Sequence, residues 1–368
     1  MKIVFDCRYT RIGHHDGISR YTAGLVTELA KLHQVTMLIS DHRQLELLPN
    51  VPWELVSAPT SVREPLVAMQ VNRLQPDVVF SPMQTMGSWG REYKLILTVH
   101  DLIYYSNRTP PRDLPAPIRL LWRLYHLAWW PQRMLLNRAD AIVTVSKTTA
   151  RLIAEHHLTK RPVSVVMNAA DQPTPAQSSY AAARATPTRR SLVYMGSFMP
   201  YKNVETLVRA AALLPGCTLH LMSRISDAER QRLSAVAPGA TLVFHNGATD
   251  EQYQEELAGA TALVTASRDE GFGIPLVEAM TLGTPAVVSD IPIFREIGAD
   301  ACVYFDPESP EALASAIRSL EAPAVWLEHS RRAVERARQF TWAASAEHLL
   351  TVLTATVGRA DRVRRRLR

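Results

Sequence analysis

The chain has 368 residues, 47% hydrophobic and 21% charged, which suits a soluble protein of two ordinary domains. Its net charge is +6, but six arginines and one aspartate place +5 of this in residues 359–368, so a broadly basic nucleic-acid-binding surface is excluded. No apolar run reaches membrane-spanning length, and Met1-Lys2-Ile3-Val4-Phe5-Asp6 carries neither the apolar core nor the cleavage site of a signal peptide.

In chain order, Lys2 to Cys7 predicts a buried strand and Arg8 to Asp16 a polar, basic loop. Gly17-Ile18-Ser19-Arg20-Tyr21 then opens a helix to about Leu32, with Ile18, Tyr21, Leu25 and Leu29 at helical spacing. Gly17 would let a phosphate or sugar approach the backbone, or is an ordinary loop glycine. Val35 to Ser40 is a second strand, and Leu66 to Leu74 a helix with Pro65 at its start. Pro76 to Ser81 and Leu95 to Val99 are further strands, the latter ending in His100-Asp101. Strands alternating with helices imply a parallel sheet, whose ligands gather at the C-terminal strand ends. His100 and Asp101 sit at such an end, although a histidine there can also be purely structural.

The region Arg108 to Arg138 combines Pro110, Pro111, Pro115 and Pro117 with a dense apolar run and Arg119, Arg123 and Arg133. For most of its positions a helix packed in the first domain is expected. The alternative is an amphipathic surface touching a membrane or a lipid-linked acceptor, since Trp and Arg suit that interface. Ala139 to Ser146 is a strand, with Ser146 placed to cap a helix from Lys147. Val163 to Val166 is another strand. Gln172 to Arg189, rich in Pro, Thr, Ser and Ala, reads as an interdomain linker. Ser191 to Gly196 opens a second domain, and Lys202-Asn203 begins its first helix. Thr218 to Met222 and Leu242 to Phe244 are strands, and Asp250 to Leu257 a helix. Cys7, Cys217 and Cys302 are far apart and show no metal spacing, as in a reducing, cytoplasmic compartment.

A strand from Thr261 to Thr265 runs into Ser267-Arg268-Asp269-Glu270-Gly271-Phe272-Gly273-Ile274-Pro275-Leu276-Val277-Glu278-Ala279-Met280. Gly271 and Gly273 permit a tight turn and close approach of a ligand. Pro275 suits a first helical turn. The amides of Phe272 to Ile274 would then sit at a helix N-terminus, an anion site suited to a diphosphate. Glu270 precedes the glycines and Glu278 lies one turn into the helix, where its oxygens could hold a diol.

This stretch resembles the donor-site motif of retaining glycosyltransferases of family four, in which two glutamates eight positions apart flank a Gly-Phe-Gly turn. Gly283-Thr284-Pro285-Ala286-Val287-Val288, Tyr304-Phe305-Asp306-Pro307, the Ala139-Asp140-Ala141 strand and its Val145-Ser146 end are similar too. Asn168-Ala169-Ala170-Asp171 is a degraded match and is given no chemistry. With Gly17 to Tyr21, His100-Asp101 and Lys202-Asn203, the pattern looks closest to the mannosyltransferase-like branch.

The resemblance implies an α/β protein of GT-B architecture, two Rossmann-like domains facing a cleft. Residues 1–171 would form the acceptor-side domain, 172–189 the linker, 190–340 the nucleotide-sugar domain, and 341–368 a returning helix and basic tail. The implied reaction moves a hexose, mannose from GDP-mannose by branch, to a hydroxyl of a glycolipid, lipid-linked or polysaccharide acceptor. Lys202 and the amides from Gly271 through Phe272 and Gly273 to Ile274 would meet the diphosphate. Glu278 would hold the ribose, Glu270 the donor sugar, and His100 the reaction centre, with Gly17 and Asp101 nearby. Ser197 and Tyr201 stand where the family commonly has arginine, so the second cation is left to Arg268 or Arg20. No metal and no cofactor are expected. The tail would be a disordered solvated end or a peripheral contact with anionic membrane. A nucleotide-sugar 2-epimerase and a non-enzymatic nucleotide-sugar-binding scaffold are the alternatives.

Overall fold

In a computed structural model the described residues are 1–110, 116–171, 184 and 186–366. They divide into two compact units, Met1–Ala169 with Thr341–Arg368, and Ala170–Phe340. Most of the segment expected as a linker, 172–183 and 185, lies outside the described residues.

The first unit holds β1 (Ile3–Asp6), β2 (Val35–Ile39), β3 (Trp53–Leu55), β4 (Val78–Ser81), β5 (Lys94–Val99), β6 (Ala141–Thr144) and β7 (Val163–Val165). All pairs are parallel, in the order β3-β2-β1-β4-β5-β6-β7. Ile3 lies opposite both Val35 and Val78. β1, β4 and β6 are buried along their whole length, as parallel strands covered on both faces must be. β3 is the exposed edge.

The second unit holds β8 (Ser191–Tyr194), β9 (Thr218–Leu221), β10 (Thr241–Phe244), β11 (Ala262–Thr265), β12 (Ala286–Ser289) and β13 (Val303–Phe305). Its order is β10-β9-β8-β11-β12-β13, again all parallel. In each sheet the strand order reverses once, between β1 and β4 and between β8 and β11. Such a reversal opens a crevice at the C-terminal strand ends, where doubly wound sheets bind ligands.

Helix Gly17–Leu32 begins and ends where the spacing predicts. Its N-terminus is fixed by Asp16, whose Oδ1 accepts from the Ser19 amide at 2.8 Å. The helix expected from Leu66 is instead a 3₁₀ turn, Glu64–Leu66, followed by helix Val67–Asn72. The Arg108–Arg138 region forms two helices, Ala116–Tyr125 and Trp130–Leu136, with Pro131 in the first turn of the second. Short helices Ile103–Ser106, Asp227–Val236 and Pro292–Gly298 carried too little periodicity to be read from the sequence.

The last helix, Trp342–Arg366, belongs to the first unit and runs through most of the basic tail. Arginine is a good helix former, so the expected irregular end is corrected as far as Arg366. This helix packs on Gly17–Leu32. Contact is close at Gly24, where an added Cβ would stand 2.4 Å from the Trp342 indole carbons. Gly24 is there because no side chain fits. Gly24→Ala should therefore lose about 1–3 kcal/mol to overpacking, more than the ~1 kcal/mol that alanine gains in a helix interior. A urea midpoint equal to or above that of the wild type would show that the indole moves aside.

Candidate functional site

At the second reversal, the loops that follow β8 and β11 are bound to each other. The β8 loop ends in a 3₁₀ turn, Pro200–Lys202, and Asn203 adopts a left-handed conformation with φ 52° before helix Val204–Ala212. The Asn203 amide side chain fixes this bend by donating to the Pro307 carbonyl at 2.7 Å. The Arg268 amide donates to the Tyr201 carbonyl at 2.8 Å. Lys202 Nζ donates to Glu270 Oε1 at 2.5 Å, and Ser267 Oγ donates to the same oxygen at 2.8 Å. Lys202 and Glu270 are 16% and 13% exposed, so their pairing is poorly screened and strongly fixes both side chains.

Helix Ile274–Thr281 leaves this turn with Pro275 in its first turn. Gly273 caps it at φ +94°, and a Cβ there would stand 2.9 Å from the Phe294 ring. Both the dihedral and the space demand glycine. The first amides of a helix lack intrahelical acceptors, so those at Ile274 point out of the helix start. Glu278, on this helix, is half-buried. Phe272 lies in the same turn, but its ring is buried edge-on against Phe340, with centroids 5.8 Å apart. Its side chain is core; only its backbone faces the turn's chemistry. Gly271 is buried beside it.

Arg268 is placed differently from Lys202. Its guanidinium forks onto Glu308, at 2.5 and 2.7 Å, and reaches the Pro200 carbonyl at 3.2 Å. It braces the turn from the exposed side and is committed to a carboxylate. Ser197 is exposed in the β8 loop, and its carbonyl accepts from the Tyr194 hydroxyl at 2.6 Å.

Gly17, Arg20, His100 and Asp101 belong to the first unit. Gly17 is exposed in the first turn of its helix and Arg20 is half-buried one turn on. His100 follows β5. Its Nε2 lies 2.7 Å from the Pro82 carbonyl, and its ring meets Tyr21 edge-on at 5.1 Å. A carbonyl only accepts, so Nε2 carries the proton and Nδ1 is left as an acceptor. Asp101 Oδ1 accepts from the Ile103 amide at 3.1 Å, starting helix Ile103–Ser106.

Sequence reasoning passed over a polar cluster at the first reversal. Buried Arg8 forks onto Asp6 at 2.8 and 3.0 Å and onto Glu64 at 2.6 and 3.1 Å. Ser81 Oγ, at the end of β4, donates to Asp6 Oδ2 at 3.0 Å. Burial alone would lower the Arg8 pKa; the Asp6 and Glu64 carboxylates override it and hold the guanidinium charged. The signal was an aspartate closing a buried strand with an arginine two residues on.

Burial pushes the His100 imidazole below its ordinary pKa, against the opposing effects of the Pro82 hydrogen bond and the Asp16 charge. A histidine depressed in the folded state contributes stability above its unfolded pKa of about 6.5 that is lost as pH falls through the folded value. His100→Gln removes this titration. Relative to that variant, the wild type should lose urea stability between about pH 7.5 and about pH 5.5. An unchanged difference would mean that the imidazole titrates normally.

The family described as Glycosyltransferase Family 4 matches residues 15–172, and the family described as Glycosyl transferases group 1 matches residues 180–340. The O-antigen chain mannosyltransferase RfbU of Salmonella typhimurium is 23% identical over 324 residues, covering 83% of this chain and 87% of the relative. Among solved structures, the sucrose-phosphate synthase of Thermosynechococcus elongatus superposes with TM-score 0.72 at 20% identity, over 98% of this chain and 100% of that one. HepE of Anabaena, in complex with UDP and glucose, superposes with TM-score 0.69 at 18% identity, over 96% of this chain and 100% of that one. Two all-parallel sheets, each with one reversal of strand order, and two adjoining family matches give one conclusion: this chain belongs to the family-four glycosyltransferases of GT-B architecture.

Proposed function

We propose that the chain transfers mannose from GDP-mannose to a hydroxyl of a lipid-linked or polysaccharide acceptor, with retention and without a metal ion. The observation that carries this reading is Lys202 and Ser267 gripping one oxygen of Glu270 immediately before the Gly273–Pro275 helix start. In this reading the bond from the sugar's anomeric carbon to the β-phosphate oxygen breaks. The acceptor oxygen bonds to that carbon on the same face, and its proton passes to the leaving phosphate. Lys202 has three donors, so it can keep Glu270 and still meet a phosphate oxygen. Together with the amides from Gly271 to Ile274 it supplies fixed positive charge where negative charge develops. Both contacts on Glu270 fall on Oε1, which leaves Oε2 for a hydroxyl of the donor sugar. Glu278 holds the ribose, and His100 offers its Nδ1 acceptor to the sugar. Arg268, bound to Glu308, braces the turn in place of serving as the second diphosphate cation.

A lipid-linked acceptor is supported by the helix Ala116–Tyr125 and its neighbour. Leu120, Leu121, Leu124, Leu127, Trp130 and Met134 are all exposed, with Arg119, Arg123 and Arg133 among them. The packed face is aromatic instead: Trp129 stacks on Tyr105 at 3.8 Å and on His156 at 4.1 Å. The helix expected to be packed at most positions therefore turns its leucines outward. Leucine and tryptophan flanked by arginine suit a peripheral seat on an anionic bilayer. No helix among the described residues is long and apolar enough to cross one.

Incubating the chain with guanosine- and uridine-based sugar nucleotides and extracted glycolipids, then weighing products by mass spectrometry, tests the reading. Sugar transfer to acceptor supports it; donor isomerised without acceptor, or no consumption, overturns it. Turnover should persist in EDTA, and recovery only on adding magnesium would refute the metal-free step. Glu278→Gln should weaken donor binding by roughly 1.5–3 kcal/mol in calorimetry, one charge-assisted hydrogen bond being lost. Leu121→Glu with Leu124→Glu should lower binding to anionic vesicles. Removal of residues 359–368 should lower its salt-dependent part, each basic residue near the surface being worth about 1 kcal/mol. Equal vesicle binding by all three proteins rules out the membrane seat.

A further inference from the structure

Three side chains of the second unit converge away from the turns described above. His220 is the third residue of β9, opposite Val243 of β10. His245 lies two residues beyond Val243, so the alternation of a strand brings both imidazoles to the same face of the sheet. Helix Asp250–Gly259 brings Glu256 to that face. His220 Nδ1 stands 3.0 Å from His245 Nε2 and 3.6 Å from Glu256 Oε2, and one ligand atom from each of the three residues lies within 4.8 Å of the others. All three residues are half-buried.

We propose that His220 Nδ1, His245 Nε2 and Glu256 Oε2 form a zinc site, with water as the fourth ligand. Zinc–nitrogen bonds of about 2.0–2.1 Å in a tetrahedron set ligand atoms roughly 3.3–3.4 Å apart, between the two separations found here. Two imidazoles and a carboxylate are zinc's ordinary ligands, and three protein ligands leave one open position. Without an ion one imidazole donates to the other, and an ion ligated by both nitrogens takes the place of that hydrogen bond.

One group competes with the ion. Arg189 Nη1 donates to the same Glu256 oxygen at 2.6 Å, while its Nη2 reaches Glu255 at 2.8 Å. The Arg189 side chain is 41% exposed and keeps Glu255 when it yields Glu256. Zinc and Arg189 thus exchange at one carboxylate oxygen. The site goes beyond the proposed transfer reaction, which routes no step through a metal, and its test reads binding rather than turnover.

The full chain, stripped with EDTA and dialysed, is titrated with zinc against a colorimetric chelator. One equivalent should bind the wild type. His220→Asn with His245→Asn should weaken it at least about tenfold, as loss of two of three protein ligands requires. Arg189→Gln should tighten it, because Glu256 no longer has a competing cation. Cobalt substituted for zinc should give the strong visible absorption of a tetrahedral site, lost in the double variant. Circular dichroism confirms that each variant is folded. Absence of stoichiometric zinc binding by the wild type, or equal affinity in the double variant, overturns the site. Zinc binding no tighter in Arg189→Gln removes Glu256 from it.

Discussion

Parallel pairing is the constraint on which everything else here depends. A parallel strand can follow its neighbour only through a crossover, and a right-handed crossover lays a helix on one face of the sheet. When the order of strands reverses, successive crossovers fall on opposite faces and their first residues part. In this chain the parting happens at β1 and β4 and again at β8 and β11. Each place is filled with charge. The first holds Asp6, Arg8 and Glu64; the second holds Lys202, Glu270 and the start of helix Ile274–Thr281. The two differ in chemical state. Arg8 is sealed between two carboxylates and braces its loop. Lys202 shares a single carboxylate oxygen and keeps donors to spare.

That difference matters for how a diphosphate could be met. Glu270 holds the Lys202 Nζ at 2.5 Å before any ligand arrives, so the side chain is oriented in advance. In the proposed reaction an incoming phosphate would meet a site already arranged around it. Such preorganisation is where most electrostatic catalysis originates. Arg268 completes the arrangement mechanically, holding the β8 loop through the Tyr201 and Pro200 carbonyls and the following segment through Glu308.

What could be read from the sequence followed burial and local chemistry. β1, β4, β6 and β11 announce themselves as short apolar runs closed by a polar residue. Gly273 and Pro275 prescribe the start of their helix without any help from tertiary structure. The Lys202–Glu270 pair was within reach only as two separate candidates, because no local rule links positions in different loops. Arg268 looked like a spare cation for the same reason: Glu308 lies forty residues away. Leu120, Leu121 and Leu124 show the opposite failure. Their composition predicts a packed helix, and only the aromatic face of Trp122, Tyr125 and Trp129 satisfies that prediction, leaving the leucines outward. Asp6 and Arg8 were legible as a strand end but not as a network, since Glu64 and Ser81 come from elsewhere in the chain.

The seat of Trp342 over Gly24 has a consequence for how the molecule is made. The chain leaves the first unit at Ala169, builds the whole second unit, and returns at Thr341 to finish the first. On the ribosome, β1 to β7 emerge early, yet the face of helix Gly17–Leu32 around Gly24 stays uncovered until the last segment is synthesised. The second unit is continuous in sequence and can close on itself before that. The order of completion is therefore the reverse of the order of synthesis. A chain cut short before Trp342 would carry a finished second unit and a first unit with an open apolar groove, a natural target for chaperones and proteases.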